Sequence, residues 1–148
     1  MATSAEIAKL REETGAGVMD CKKALDASGG DHAKALEIIS QQGAAKAAKK
    51  GDRATSAAHL EAYLHGGRVG VLLDVRAETD FVTRSEPFRE FAKNLAMHIA
   101  AASPATVEEL LKQNYVRDES MTIEGFVKSM IGKIGENIAI NRFTRYEV

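Results

Sequence analysis

The chain has 148 residues with 45% hydrophobic content and a formal net charge of −1, which favours one globular domain, or one small domain with a short companion. The balanced charge argues against a protein dedicated to nucleic acid, and the lack of an apolar run of roughly 20 residues or of a secretory signal pattern leads us to expect a cytoplasmic protein without membrane contact. The single cysteine, Cys21, excludes an internal disulfide and a multi-cysteine zinc site.

The first fifty residues have the pattern of three short helices. Thr3 and Glu6 have capping-box spacing and precede an apolar stripe. Gly15 and Gly17 interrupt this stripe, and a second amphipathic stretch follows and stops at the glycine pair 29–30. Three helices of about ten residues predict a small core and a marginally stable module.

The end of the third helix and the segment after it mark a change in composition. We predict that Asp31 caps the third helix and that Gly43 ends it. Residues 44–58 are first rich in Ala and Lys and then in small polar residues, so few side chains could anchor a core. We interpret this segment as a linker with some helical tendency, whose positive charges lie in solvent.

The remainder of the chain has the pattern of an α+β core. Two runs of alternating apolar residues, 60–65 and 68–75, flank Gly66 and Gly67 and predict a β-hairpin. Apolar residues at helical spacing from 88 to 102, at 110–111 and from 123 to 134 predict three helices. The tail, 138–148, is β-prone, and its alternation slips after Ile140, so we expect a third strand with a bulge.

Few side chains have the spacing that catalysis or metal binding requires. The four histidines form no compact ligand set, and His98 falls among core residues where a hydrogen-bonded structural histidine is typical. Asp74, Glu78 and Asp80 could suggest a carboxylate site, but no base or metal ligand accompanies them, and surface charge is the better interpretation. Cys21 lies on the predicted buried face of a short helix. We therefore predict no catalytic residue, no metal and no cofactor.

Two connections are unusual for plain loops. Gly15 and Gly17 around Ala16 let the backbone approach another surface closely, although a helix end with surface lysines is the simpler explanation. The second connection, 78–84, carries Phe81 beside Asp80. Phe81 could fold back onto the following helix as a hydrophobic staple, or it could project towards a partner as an apolar wedge. The residues alone support both readings of Phe81 about equally.

Three segments resemble the sequence signatures of bacterial elongation factor Ts. Leu10–Leu25 resembles the N-terminal signature, Thr79–Val82 the second and Lys133–Ile138 the third, and they occur in the family order. The resemblance implies a three-helix, ubiquitin-associated-like docking module with its linker in residues 1–55. It implies that residues 56–148 form an α+β core with a three-stranded antiparallel sheet packed against helices.

The resemblance also implies a function and the residues that carry it. Members of the family exchange guanine nucleotide on elongation factor Tu and perform no covalent chemistry, so we expect this GTPase as the partner and no direct contact with nucleic acid. The residues that would dock on the GTPase, here called the docking segment, are Thr14, Gly15, Ala16, Gly17, Val18, Met19 and Lys23. The residues that would disturb its Mg²⁺ and phosphate site, here called the exchange loop, are Thr79, Asp80, Phe81 and Val82.

Two further expectations concern assembly and the alternative function. The chain has one core unit where longer members of the family carry two related halves, so we expect a homodimer, with residues 60–75 and 138–148 as interface elements. The alternative is a peptide-binding or ubiquitin-like-binding adaptor that uses the three-helix module and has no exchange activity.

Overall fold

The chain forms helices in its first third and a sheet with helices on one face in the rest, and the computed structural model describes all of residues 1–148. This arrangement confirms the α+β prediction with its three-stranded antiparallel sheet. In chain order the elements are α1 (Ser4–Thr14), α2 (Val18–Ala27), α3 (His32–Lys50), β1 (Ala57–His65), β2 (Val69–Ala77), α4 (Asp80–Thr83), α5 (Glu86–Ala102), α6 (Val107–Lys112), β3 (Asn114–Tyr115), β4 (Asp118–Thr122), α7 (Ile123–Ile134) and β5 (Ile138–Glu147).

Helices α1 to α3 form a module that fits the ubiquitin-associated-like fold. The capping box is present, because the Thr3 hydroxyl accepts the Glu6 backbone N–H and the Glu6 carboxylate accepts the Thr3 backbone N–H at 2.7 Å. The module has its own small core, whose buried members are Leu10, Cys21, Ala24, Leu25 and Ala35. Burial of Cys21 confirms that it lies on the packed face of its helix.

Helix α3 is longer than the sequence analysis predicts, because Gly43 does not end it. The helix runs to Lys50, and the Ala/Lys-rich stretch that we interpreted as a linker forms its last two turns. At Gly132 of α7, an added Cβ would lie 3.1 Å from the Gly43 Cα, so the lack of a side chain at Gly132 lets the helices cross at backbone contact. Ala47 is buried in the core beyond this crossing. The irregular connection is therefore confined to residues 51–56, and the domain boundary at residue 55 stays a prediction.

The three-stranded sheet has the order β1-β2-β5 with both pairs antiparallel. Gly66 and Gly67 take positive φ values, and the Arg68 N–H donates to the His65 carbonyl at 3.0 Å, which confirms the hairpin. Three residues, 66–68, separate the strands. The predicted bulge in β5 is confirmed, since Asp74 pairs with Arg142 and Val75 with Ile140.

One face of the sheet is covered and the other is open. Alternate residues of β2 are fully or almost fully buried against α5, which contributes Phe88, Phe91, Leu95 and Ile99 to the same core. The open face carries leucines from β1 and β2 and a tyrosine from β5, and the exposed members are Leu60, Leu64, Leu72 and Tyr146. A short ribbon of β3 and β4, which the sequence analysis did not predict, packs beside α7.

His98 is a structural residue in the core, as the sequence analysis expects. It is fully buried, its Nε2 lies 2.9 Å from the Gln113 Oε1, and its Nδ1 accepts the Val116 N–H at 3.2 Å. With Nδ1 as an acceptor, the neutral ring donates from Nε2 to Gln113. Burial lowers the pKa of His98 below its ordinary value of 6.5, which keeps the ring neutral.

Candidate functional site

The connection between α1 and α2 is held by local hydrogen bonds. Gly15 takes a left-handed conformation with φ of 68°, and its N–H donates to the Arg11 carbonyl at 2.7 Å. The Thr14 hydroxyl donates to the Leu10 carbonyl at 2.7 Å and accepts the Ala16 N–H at 3.2 Å. These bonds give the turn one defined shape, and Gly15 is required there because L side chains rarely adopt its φ.

Two apolar side chains of the docking segment are exposed at the start of α2. Val18 is 47% exposed and Met19 is 60% exposed, whereas Cys21 of the same helix is fully buried in the module core. Lys23 is exposed further along α2. The helix therefore places its packing residues on one face and leaves Val18 and Met19 free to contact another protein.

The exchange loop includes a short helix that the sequence analysis did not predict. Thr79 precedes α4, and its hydroxyl accepts the Val82 N–H. Val82 and Thr83 are buried, which anchors the far side of the loop in the core. Phe81 is 83% exposed and Asp80 is exposed beside it. Of the two readings of Phe81, the projecting side chain is therefore the correct one, and Val82 occupies the core position instead.

The third signature segment lies against both of the other two. The Glu136 carboxylate accepts the Thr79 backbone N–H at 2.9 Å and the Thr79 hydroxyl at 2.8 Å. The side chain of Lys133 lies over Gly15, with its Cδ 3.4 Å from the place that a Cβ would take. Consecutive Cα atoms are about 3.8 Å apart, so those of Lys133 and Glu136 lie within about 11 Å of each other. One short segment therefore contacts both the docking segment and the exchange loop.

Asn137 joins this segment to the end of α3. It is 7% exposed, and its side-chain amide donates to the carbonyls of Gly51 at 3.3 Å and Arg53 at 2.8 Å. Its backbone N–H donates to the Glu78 carboxylate at 2.9 Å. Through these hydrogen bonds Asn137, just before β5, holds both the connection after α3 and the segment after β2 in place.

The other carboxylates considered in the sequence analysis make structural contacts. Asp74 accepts two hydrogen bonds at 3.1 Å from the Arg76 guanidinium and one from Asn141, and the bonds from Arg76 are the main reason that its pKa lies below the ordinary value. Glu78 is engaged by Asn137, as described above. No three His, Cys, Asp or Glu side chains lie together in a way that would hold a metal ion. None of the helices is both long enough and apolar enough to span a bilayer.

Local sequence patterns do not indicate the supporting role of Glu136 and Asn137. Both residues belong to the third signature, but nothing near them in the sequence indicates a contact with Thr79 or Gly51. The only available signal was the resemblance of the segment itself, which carries no information about partners in the fold.

Comparisons with known proteins agree with the resemblance. Residues 78–148 match the family model described as elongation factor TS. The chain is 39% identical to the elongation factor Ts of Geobacter metallireducens over 97% of this chain and 88% of that protein. It is 40% identical to that of Nitratidesulfovibrio vulgaris over 100% of this chain and 98% of the relative, and 38% identical to that of Oleidesulfovibrio alaskensis over 99% and 97%.

The relatives contain residues that this chain lacks within the aligned region. The alignment with the Nitratidesulfovibrio vulgaris protein spans 195 positions, whereas this chain has 148 residues. The three signature segments are nevertheless all present. The chain therefore belongs to the elongation factor Ts family of translation elongation factors.

Proposed function

We propose that this chain is a guanine-nucleotide exchange factor for elongation factor Tu, and that it accelerates GDP release without covalent chemistry of its own. The observation that carries the proposal is that the third signature segment contacts both of the others, each of which exposes an apolar side chain, Met19 in one and Phe81 in the other. Exposed apolar side chains on structurally fixed loops are typical of a surface that binds a protein.

Exchange requires that the factor bind the empty GTPase more tightly than the loaded one. By linkage, the factor weakens nucleotide binding by the same ratio by which nucleotide weakens the factor. A 10⁴-fold effect needs about 5.5 kcal/mol of differential binding, whereas burial of one Phe side chain contributes roughly 1.5–3 kcal/mol. Phe81 alone is insufficient, so other contacts must also favour the empty state.

We assign separate roles to the two loops. Val18, Met19 and Lys23 hold the complex together, because they are exposed on a helix whose opposite face is packed. Phe81 acts as a wedge between elements of the GTPase. Asp80 would compete for the groups of the GTPase that orient its Mg²⁺ ion or phosphate, since its own contact is a single exposed ion pair with Arg84 at 3.4 Å.

We further propose that two copies of the chain form a homodimer through the open face of the sheet. Leu60, Leu64 and Tyr146 are 65%, 70% and 73% exposed, and Leu72 of the central strand lies between them at 46%. An apolar patch of this kind is unfavourable in water and is self-complementary across a two-fold axis.

The test is release of labelled GDP from elongation factor Tu in the presence of excess unlabelled GDP. A substoichiometric amount of the chain should discharge all of the label, because an exchange factor is regenerated in each cycle. Static light scattering on the same preparation gives the mass of the chain, and we expect that of a dimer. If the chain binds the GTPase but leaves release unchanged, it is an adaptor and the proposal is wrong.

A further inference from the structure

We propose that residues 133–137, here called the brace, set the spacing between the docking segment and the exchange loop, and that Glu136 is a positioning residue for exchange. The inference rests on the proposed function and deepens it. It explains why a segment with no exposed apolar side chain of its own is held so closely against both loops.

The brace fixes the near end of the exchange loop. Glu136 accepts both donors of Thr79, and a charged acceptor makes these bonds stronger than neutral ones. The Thr79 hydroxyl in turn accepts the Val82 N–H, and Val82 is buried in the core. The loop is therefore held at both ends, and only Asp80 and Phe81 project between them.

The brace also fixes the N-terminal module relative to the core. The side chain of Lys133 covers Gly15, and the Lys50 ammonium donates to the Gly135 carbonyl at 2.9 Å. Asn137 holds the connection after α3 through the carbonyls of Gly51 and Arg53. The brace thus contacts the docking turn through Lys133, the end of α3 through Gly135 and the exchange loop through Glu136.

A fixed spacing matters because one GTPase must engage both loops together. If the exchange loop moves freely, part of the binding free energy of Phe81 is lost in ordering the loop. The docking segment does not share this cost, since its turn is held by its own hydrogen bonds. Weakening the contact between Glu136 and Thr79 should therefore reduce the rate of GDP release at saturation. It should not change the concentration of chain needed for half saturation.

The test compares Glu136→Gln with the matched control Glu119→Gln, which makes the same chemical change at an exposed position of β4. Gln keeps one carbonyl acceptor but removes the negative charge, so the bonds to Thr79 lose the added strength of a charged acceptor. We expect the Thr79 and Val82 amides to exchange with deuterium about tenfold faster in Glu136→Gln, and the saturating rate of GDP release to fall about tenfold. The half-saturating concentration should stay within about twofold. Glu119→Gln should match the wild type in all three measurements.

Two variants of Thr79 test the same contact from its other side. Thr79→Ala loses the hydroxyl and should reproduce Glu136→Gln, whereas Thr79→Ser retains the hydroxyl and should recover most of the protection and rate lost in Thr79→Ala. This pair decides the matter even if Glu136→Gln does not fold.

The inference is overturned if amide exchange in the loop is unchanged, if it rises without loss of the saturating rate, or if the half-saturating concentration shifts as much as the rate. If the wild-type chain does not release GDP at all, the proposed function and the positioning role both fail. The deuterium measurement still shows, separately, whether Glu136 holds the loop.

Discussion

Truncation of Phe81 to Ala tests the wedge with little disturbance of the free chain. The side chain is 83% exposed, so Phe81→Ala removes almost no packing, and we expect the free energy of unfolding to change by less than about 0.5 kcal/mol. Complete burial of the side chain against the GTPase would contribute about 1.5–3 kcal/mol, which corresponds to a factor of about 10–150 in an equilibrium constant.

The informative result is how much binding free energy Phe81→Ala removes from the complex with the empty GTPase and how much from the complex with the GDP-loaded GTPase. A wedge contacts its full surface only when the nucleotide has left, so Phe81→Ala should weaken binding to nucleotide-free elongation factor Tu by about 10–150-fold. Its affinity for the GDP-loaded GTPase should change by less than about twofold. The ratio of the two affinities is the coupling that drives exchange, and the rate of GDP release at saturation should fall with it.

The assay is a titration of each variant against both nucleotide states of elongation factor Tu, with unfolding monitored separately. Met19→Ala provides the contrast, because Met19 is 60% exposed in the docking segment. This substitution should lower the affinities for the nucleotide-free and the GDP-loaded GTPase by a similar factor. Val116→Ala, an exposed apolar residue between β3 and β4, is the control and should leave both unchanged. If Phe81→Ala weakens both states equally, Phe81 is a simple anchor and the wedge mechanism is refuted.

Three further predictions concern assembly and stability. Leu72→Asp should give a monomer by light scattering while Val116→Asp keeps the wild-type mass, and a dimeric Leu72→Asp would exclude the open face of the sheet as the interface. Since burial lowers the pKa of His98, the unfolded chain binds the proton first, and the free energy of unfolding should fall as the pH drops below 6.5, by at most about 1.4 kcal/mol per pH unit. When the free energy of unfolding is measured in urea at several pH values, His98→Gln should remove this part of its dependence on pH. An identical pH dependence in the variant and the wild type would contradict the assignment of the effect to His98. Gly43→Ala should stabilise α3 by about 0.5–1 kcal/mol because its Cβ meets open space, whereas Gly132→Ala should lower the melting temperature because overpacking against the Gly43 backbone costs about 1–3 kcal/mol. Equal melting temperatures for the two glycine variants would show that the helix crossing is not close.

Features that depend on neighbouring residues could be predicted from the sequence. The capping box at Thr3 and the hairpin at Gly66–Gly67 are formed by groups within four residues of each other, so the local pattern determines them. The bulge in β5 was predictable for the same reason, because the alternation slips at the residue where the register shifts.

Features that depend on distant contacts could not be predicted in this way. Gly43 has the chemistry of a helix end, and the packing of α3 against the distant helix α7, which brings Gly132 onto the Gly43 backbone, has no local signal in the sequence. A staple and a wedge have the same local sequence, so the orientation of Phe81 was open until Val82 was seen to fill the core. The contact of Glu136 with Thr79 has no local signal at all.

The two loops contribute different quantities to the proposed exchange, which is why their spacing must be kept. Contacts made equally with loaded and empty GTPase lower the concentration of factor required, but they do not change nucleotide affinity. Nucleotide affinity changes only through contacts that differ between the loaded and the empty GTPase. Phe81 can make such contacts only after the docking segment has positioned it against the GTPase. The crossing of α3 with α7 and the brace at 133–137 provide this placement within a chain shorter than its aligned relatives. The additional residues of those relatives are therefore not needed to bring the three signature segments together.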